Sequence, residues 1–184
     1  MLTEQRNYLK YDGWLLKPVD KYESLKQFNC GKADLNDFFQ NDVYLQKQEL
    51  LNETYELTEA TIGKDFPVAL ISLCNDAIRK EKLFPYLPFK GTKKDYPVYP
   101  AVKIARFGVK NDFRRKNIGT LAINIIKTLF LTNNRTGCRF VTVDAYNESD
   151  VLNFYNKNGF QFFSERDKNK DTRAMFYDLK RIKL

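Results

Sequence analysis

Apolar residues at Ile118, Leu121, Ala122, Ile125, Ile126, Leu129 and Phe130 recur at spacings of three and four, which predicts an amphipathic helix over residues 118–131 with one stripe facing a sheet. Directly before it, Val98–Val109 is rich in β-branched and aromatic residues and reads as a strand. A second strand–helix pair follows. Residues 139–143 (Arg-Phe-Val-Thr-Val) read as a strand, and Ser149 is expected to cap a short helix that ends at Gly159.

The first half of the chain carries the same two periods. Trp14–Pro18 reads as a strand stopped by proline. Residues 28–39, Phe28-Asn29-Cys30-Gly31-Lys32-Ala33-Asp34-Leu35-Asn36-Asp37-Phe38-Phe39, lead through a glycine turn into a helix expected to run to about Leu51. Residues 54–62 and 68–73 read as a hairpin joined at Gly63-Lys64-Asp65. Between residues 80 and 97 the pattern dissolves into Pro85, Pro88, Pro97 and lysines, a surface connection holding at most a short helix. Residues 160–163 and 173–179 form a closing strand pair across a polar turn at 167–171. The order predicts an α/β (α+β) three-layer fold, with a mixed, mostly antiparallel central sheet, one parallel crossover and helices on both faces.

Composition sets the scale. With 184 residues, the chain is expected to form one domain, 1–184, burying roughly 70% of its unfolded surface. Its 43% apolar and 29% charged content points to a globular protein and not a membrane-spanning one. Residues 1–6 lack an apolar signal region, so a cytoplasmic location is expected. Cys30, Cys74 and Cys138 are far apart, odd in number and unaccompanied by any histidine, so they read as structural thiols and no metal is expected. The lack of histidine also excludes Ser-His and Cys-His nucleophilic machinery. Proton handling then falls to tyrosine, a carboxylate, water or the substrate. Against 23 acidic residues stand 31 lysines and arginines, a net charge of +8 that favours a polyanionic partner. A plain solvated surface accounts for the outlying lysines, such as Lys80, Lys82, Lys90, Lys93 and Lys94, equally well.

The chemistry concentrates at Phe113-Arg114-Arg115-Lys116-Asn117-Ile118-Gly119-Thr120, where a strand turns into a helix. The first turn of a helix has unpaired N–H groups and a partial positive charge, and glycine lets a phosphate approach the backbone. Arginine and lysine add charge at the same spot, so the run is a candidate pyrophosphate cradle.

This run resembles the cofactor loop of the GNAT superfamily of acyl-CoA-dependent N-acetyltransferases, Arg/Gln-x-x-Gly-x-Gly/Ala. Arg114 matches its first position and Gly119 its last, and Asn117 stands at the first glycine, where asparagine tolerates positive φ. A second block, residues 144–160, is similar to the later segment of that family: Tyr155 and Gly159-Phe160 match directly, and Asn147 lies one residue further from the tyrosine than usual. The resemblance implies the GNAT fold and acetyl-CoA as co-substrate. It implies that the backbones of Phe107 and Val109 hold the acetyl-pantetheine arm and that Arg114, Arg115, Lys116, Asn117, Ile118, Gly119 and Thr120 hold the pyrophosphate. Tyr155 would be the general acid for the departing sulfur. Read without the resemblance, Tyr155 is an aromatic anchor under its helix.

Acid–base arithmetic favours an α-amine as acceptor without fixing it. Near pH 7.5 about one lysine side chain in a thousand is neutral, against about a third of α-amines, so an α-amine needs little help from a base. The strand from Val102 to Val109 has no carboxylate, and the next strand offers only Asp144. Residues 28–39 and Ala105-Arg106-Phe107-Gly108-Val109 also resemble the GNAT branch of bacterial toxins that acetylate the amino acid on charged tRNA. That branch implies an aminoacyl-tRNA acceptor and a small antitoxin partner, and a homodimer is a further expected assembly. A small-molecule or protein N-terminal amine is the alternative acceptor, and a catalytically silent CoA- or RNA-binding module the alternative from another class.

Overall fold

The computed structural model describes residues 9–59, 66–86, 94, 96–132 and 136–182. The expected turn at Gly63-Lys64-Asp65, the run at 1–6, and Pro88, Lys90 and Lys93 lie outside the described residues. Among the described residues eight strands form one sheet: β1 (Leu9–Tyr11), β2 (Trp14–Pro18), β3 (Glu53–Glu59), β4 (Ala69–Arg79), β5 (Val98–Val109), β6 (Phe140–Tyr146), β7 (Gln161–Phe162) and β8 (Thr172–Asp178), in the order β1-β2-β3-β4-β5-β6-β8-β7. The pairs β1/β2, β2/β3, β3/β4, β6/β8 and β7/β8 are antiparallel, and β5/β6 is parallel. The helices are α1 (Ala33–Asp37), α2 (Val43–Gln48), α3 (Ile118–Leu129) and α4 (Ser149–Lys157). None of the described helices is long and apolar enough to cross a membrane.

The chain divides into two compact units, Met1–Cys74 with Ala105–Leu129 and Asn75–Ile104 with Phe130–Leu184. In the first, β2, β3 and the start of β4 pair in a register that sets Leu16 opposite Leu57 and Leu57 opposite Ala69, all essentially without solvent exposure. Strand β3 also carries a buried carboxylate, Glu56, which an ion pair with Lys17 at 3.0 Å compensates. Helix α3 buries Ile118, Ala122, Ile125 and Ile126 as its period demands. Its buried arc is wider than the predicted stripe and takes in Ile123 and Lys127, while Leu121, Leu129 and Phe130 stay half-buried. The helix also stops at Leu129, two residues short of the expected end.

The helix expected to run to Leu51 is broken. A π-helical turn, Phe38–Asp42, separates α1 from α2, and it turns Phe38 and Phe39 together into the core, where Phe39 meets Phe28 edge-to-face at 5.4 Å. Helix α2 then closes at Glu49 through a left-handed residue. The N–H of Leu50 donates to Lys47 O and that of Leu51 to Gln46 O, with Leu50 at φ 56°. This is the helix-ending motif that glycine usually serves, built here on leucine, so composition did not reveal it.

The second unit holds the remainder of β4 and β5 with β6, α4, β7 and β8. Strand β4 runs six residues past the expected end at Leu73, because its second half alternates exposed and buried positions instead of continuing as an apolar run. Ile78, Leu83, Tyr99, Ala101, Phe140 and Phe176 form its core cluster, with Phe163 stacked on Phe176 at 4.7 Å. Ser149 is not the cap of α4. It is the first helical residue, the N-cap is Glu148, and no side-chain hydrogen bond closes that end. The other end is as the sequence suggests: Gly159, at φ 81°, donates to Asn156 O, and Phe160 donates to Tyr155 O.

Candidate functional site

Strand β5, the loop after it and α3 form one continuous piece of the first unit from Ala105 to Leu129. The parallel ladder with β6 runs from Ala101↔Phe140 to Ile104↔Val143, and β5 continues five residues further. Phe107 and Val109 lie in that extension, both half-buried. The loop is anchored at its start: Lys110 N–H donates to Val68 O at 2.9 Å and Asn111 N–H to Asn29 O at 3.0 Å. A single 3-10 turn over Asn111–Phe113 follows.

Between that turn and α3 the chain makes two left-handed steps, Arg115 at φ 59° and Asn117 at φ 59°. The asparagine was the expected one. Arginine at positive φ costs of order 1 kcal/mol and persists only where surrounding contacts fix it. The conformation leaves Arg114, Arg115, Lys116 and Asn117 exposed, whereas Ile118 turns inward and is 6% exposed. Asn117 O accepts the first helical hydrogen bond, from Leu121 N, so the N–H groups of the preceding turn, Ile118, Gly119 and Thr120, sit at the open end of the helix. Arg114, Arg115 and Lys116, all exposed, directly precede that end in the chain, which makes the segment a candidate anion site. Lys116 Nζ lies 5.3 Å over the Phe113 ring, which aligns its stem along the loop.

Residues 28–39, which the sequence offers only as a pattern, pack against the end of β5 and the start of this loop. Gly31, at φ 80°, has Asn111 Oδ1 where a Cβ would come within 2.8 Å, and Arg114 Nη1 at 3.4 Å. At Gly108 a Cβ would meet Cys30 Sγ at 3.1 Å and Phe39 Cε2 at 3.2 Å. Burial pushes the Cys30 thiol up from its ordinary range, and the nearby Arg114 charge only partly offsets this. Cys30 is therefore a packing thiol and a poor nucleophile.

Tyr155 belongs to the second unit, on α4, and is 5% exposed. Its ring meets Phe154 at 5.1 Å and Phe160 at 5.3 Å. Burial, reinforced by Tyr146, pushes its hydroxyl far above the ordinary tyrosine range, so it carries its proton at any physiological pH. Asp144 is ion-paired with Lys103. Asn147 has a structural occupation: its Nδ2 donates to Lys168 O and Lys170 O, both at 2.8 Å, and its N–H to Asp171 O, pinning the 167–171 turn. The same turn is held from its other side by Arg173, which donates to Asp167 at 2.9 Å and stacks over Phe162 at 4.1 Å.

No protein-family profile matches the chain, and no curated protein sequence does. Solved structures do match it over nearly its whole length. A structure described as a bacterial toxin superposes with a TM-score of 0.74 at 16% identity, covering 91% of this chain and 92% of the other. AtaT complexed with acetyl-methionyl-tRNAfMet gives 0.69 at 20% identity, with 91% and 96% covered. A tyrosine-to-phenylalanine mutant of the AtaT toxin bound to the C-terminus of the antitoxin AtaR and acetyl-CoA gives 0.62 at 16% identity, with 92% and 96% covered. At such identities the likeness is one of architecture, and it agrees with the strand order, the parallel β5/β6 pair and the strand–loop–helix just described: the chain has the GNAT-like fold of these toxins.

Proposed function

We propose that the protein is an acetyl-CoA-dependent N-acetyltransferase whose acceptor is the α-amine of an aminoacyl-tRNA. The observation that carries the reading is the loop from Arg114 to Asn117, which presents three cationic side chains at the open end of α3. Acetyl-CoA supplies a thioester, and the reaction forms a C–N bond to the amine as the C–S bond breaks. Arg114, Arg115, Lys116 and the first N–H groups of α3 hold the pyrophosphate, and the backbone of Phe107 and Val109 aligns the pantetheine arm. Tyr155 gives its proton to the sulfur, and the proton lost by the amine passes through water to restore the tyrosine hydroxyl. Asp144, engaged by Lys103, is not offered as a base, which suits an amine already partly neutral near pH 7.5.

The acceptor is inferred from the net charge of +8, the lack of a carboxylate on β5 beyond Val102 and the complex of AtaT, of the same architecture, with acetyl-methionyl-tRNAfMet. A small antitoxin as regulator is part of the same proposal, supported by the AtaT structure that contains part of AtaR. Incubation with labelled acetyl-CoA tests the reading. Aminoacylated tRNA takes the label and the same tRNA without its amino acid does not. Labelling of a free small amine or a peptide N-terminus, with charged tRNA untouched, would leave the acetyltransferase and remove the tRNA acceptor.

A further inference from the structure

The segment from Phe28 to Asn36 is a closed hydrogen-bonded turn of unusual completeness for an irregular stretch. Asn29 Oδ1 accepts from Gly31 N at 2.9 Å and from Asn36 Nδ2 at 2.9 Å. Asn36 Oδ1 accepts from Cys30 N at 2.9 Å and from Cys30 Sγ at 3.2 Å. Two asparagines thus lock each other and fix the backbone between them. Outside the lock, Gln40 Nε2 ties Phe28 O to the π-helical turn at 2.9 Å.

This rigid turn meets the candidate site three times. Asn29 O takes the N–H of Asn111, the residue that starts the loop. A methyl group on Gly31, already strained at φ 80°, would come within 2.8 Å of Asn111 Oδ1 and into contact with Arg114 Nη1 at 3.4 Å. Cys30 and Phe39 press on Gly108, at the end of β5. The loop they touch contains two non-glycine residues at positive φ, a conformation that must be imposed from outside the loop. Contacts from this turn reach the loop at Asn111 and at Arg114, directly before the first of those two residues.

We propose that Asn29 and Gly31 are positioning residues for the pyrophosphate loop: the locked turn is a seat that sets the height of Asn111 and Arg114 and so aims the loop at its anion. The proposal rests on the reading that this loop takes the pyrophosphate of coenzyme A. It assigns the 28–36 run a role in cofactor binding, where its place far upstream of the loop would suggest acceptor binding or simple core packing. Neither residue touches the reacting atoms, and each acts through the loop.

The test separates the loop from the remainder of the site. Acetyl-CoA and acetyl-pantetheine, which lacks the pyrophosphate, are titrated against the parent and against Gly31→Ala, Asn29→Ala and Asn29→Asp, all at equal folded concentration. Gly31→Ala and Asn29→Ala are expected to weaken acetyl-CoA by about ten- to a hundredfold, as displacement of an aimed charged group by an ångström does. They should leave acetyl-pantetheine unchanged. Asn29→Asp keeps both acceptor bonds and should bind like the parent. If Gly31→Ala does not fold, the Asn29 pair decides. Equal loss for both ligands, or no loss for acetyl-CoA, overturns the seat. A parent that does not bind acetyl-CoA overturns the reading beneath it, and is seen before any variant is compared.

Discussion

At the scale of the residue, Tyr155 combines a buried ring with a proton that the solvent cannot easily remove. A raised hydroxyl pKa guarantees that the proton is present but makes Tyr155 a weaker acid, so transfer to a thiolate is uphill unless the charges of the bound complex lower that pKa. Tyr155→Phe keeps the ring and removes the proton. Turnover is expected to fall by roughly 10²- to 10⁴-fold with acetyl-CoA affinity unaltered. Full turnover in the variant would return Tyr155 to a purely packing role. The same substitution has a second, independent readout. Because the folded-state pKa lies above the unfolded value, Tyr155 contributes stability that is complete below about pH 10 and is lost as pH rises from there. Thermal midpoints of parent and Tyr155→Phe should therefore run parallel up to about pH 10, and above it only the parent should lose the added increment.

At the scale of the element, the loop and α3 act as one unit, since Asn117 both ends the left-handed steps and accepts the first bond of the helix. Gly119→Glu puts a carboxylate in the first helical turn, where it suits the helix dipole but opposes a bound pyrophosphate. The helix should be retained by circular dichroism while acetyl-CoA binding is lost in calorimetry. Unchanged binding would place the cofactor elsewhere. Much at this scale was legible in advance. Strand β5 was readable residue for residue because six of its twelve residues are β-branched or aromatic and a polar break follows, and Gly159 marked the end of α4 because no side chain competes for that φ. What stayed hidden was conformation borrowed by residues that do not advertise it. Leu50 ends α2 and Arg115 bends the loop at φ values usual for glycine, and neither leaves a trace in composition. Ser149 failed as a cap for the opposite reason, since its residue type suggested a bond that the backbone one position earlier does not form. Asn29 and Asn111 lie too far apart in sequence for any local pattern to join them.

For the whole molecule the controlling quantity is charge. Arg114, Arg115 and Lys116 are exposed in the first unit, and Arg166, Lys168, Lys170 and Lys180 are exposed or half-exposed in the second. If such side chains neutralise tRNA phosphates, the logarithm of affinity should fall by about 0.7–0.9 per tenfold increase in salt for each contact. Filter binding of charged tRNA across a salt series checks this. A flat response would show that the net charge of +8 serves solubility and not the acceptor.

The first unit takes its residues from Met1–Cys74 and Ala105–Leu129, with thirty residues of the second in between. During synthesis the seat at Asn29 and Gly31 therefore leaves the ribosome long before the loop it supports. At about 5–20 residues per second, the emerging chain spends several seconds with the seat made and nothing resting on it. A nascent chain stopped at Cys74 should remain protease-sensitive and unable to retain coenzyme A, however long it is left. Only chains extended past Leu129 have every residue of the first unit, so a function that needs that unit folded would be withheld from each new molecule until most of it had been made.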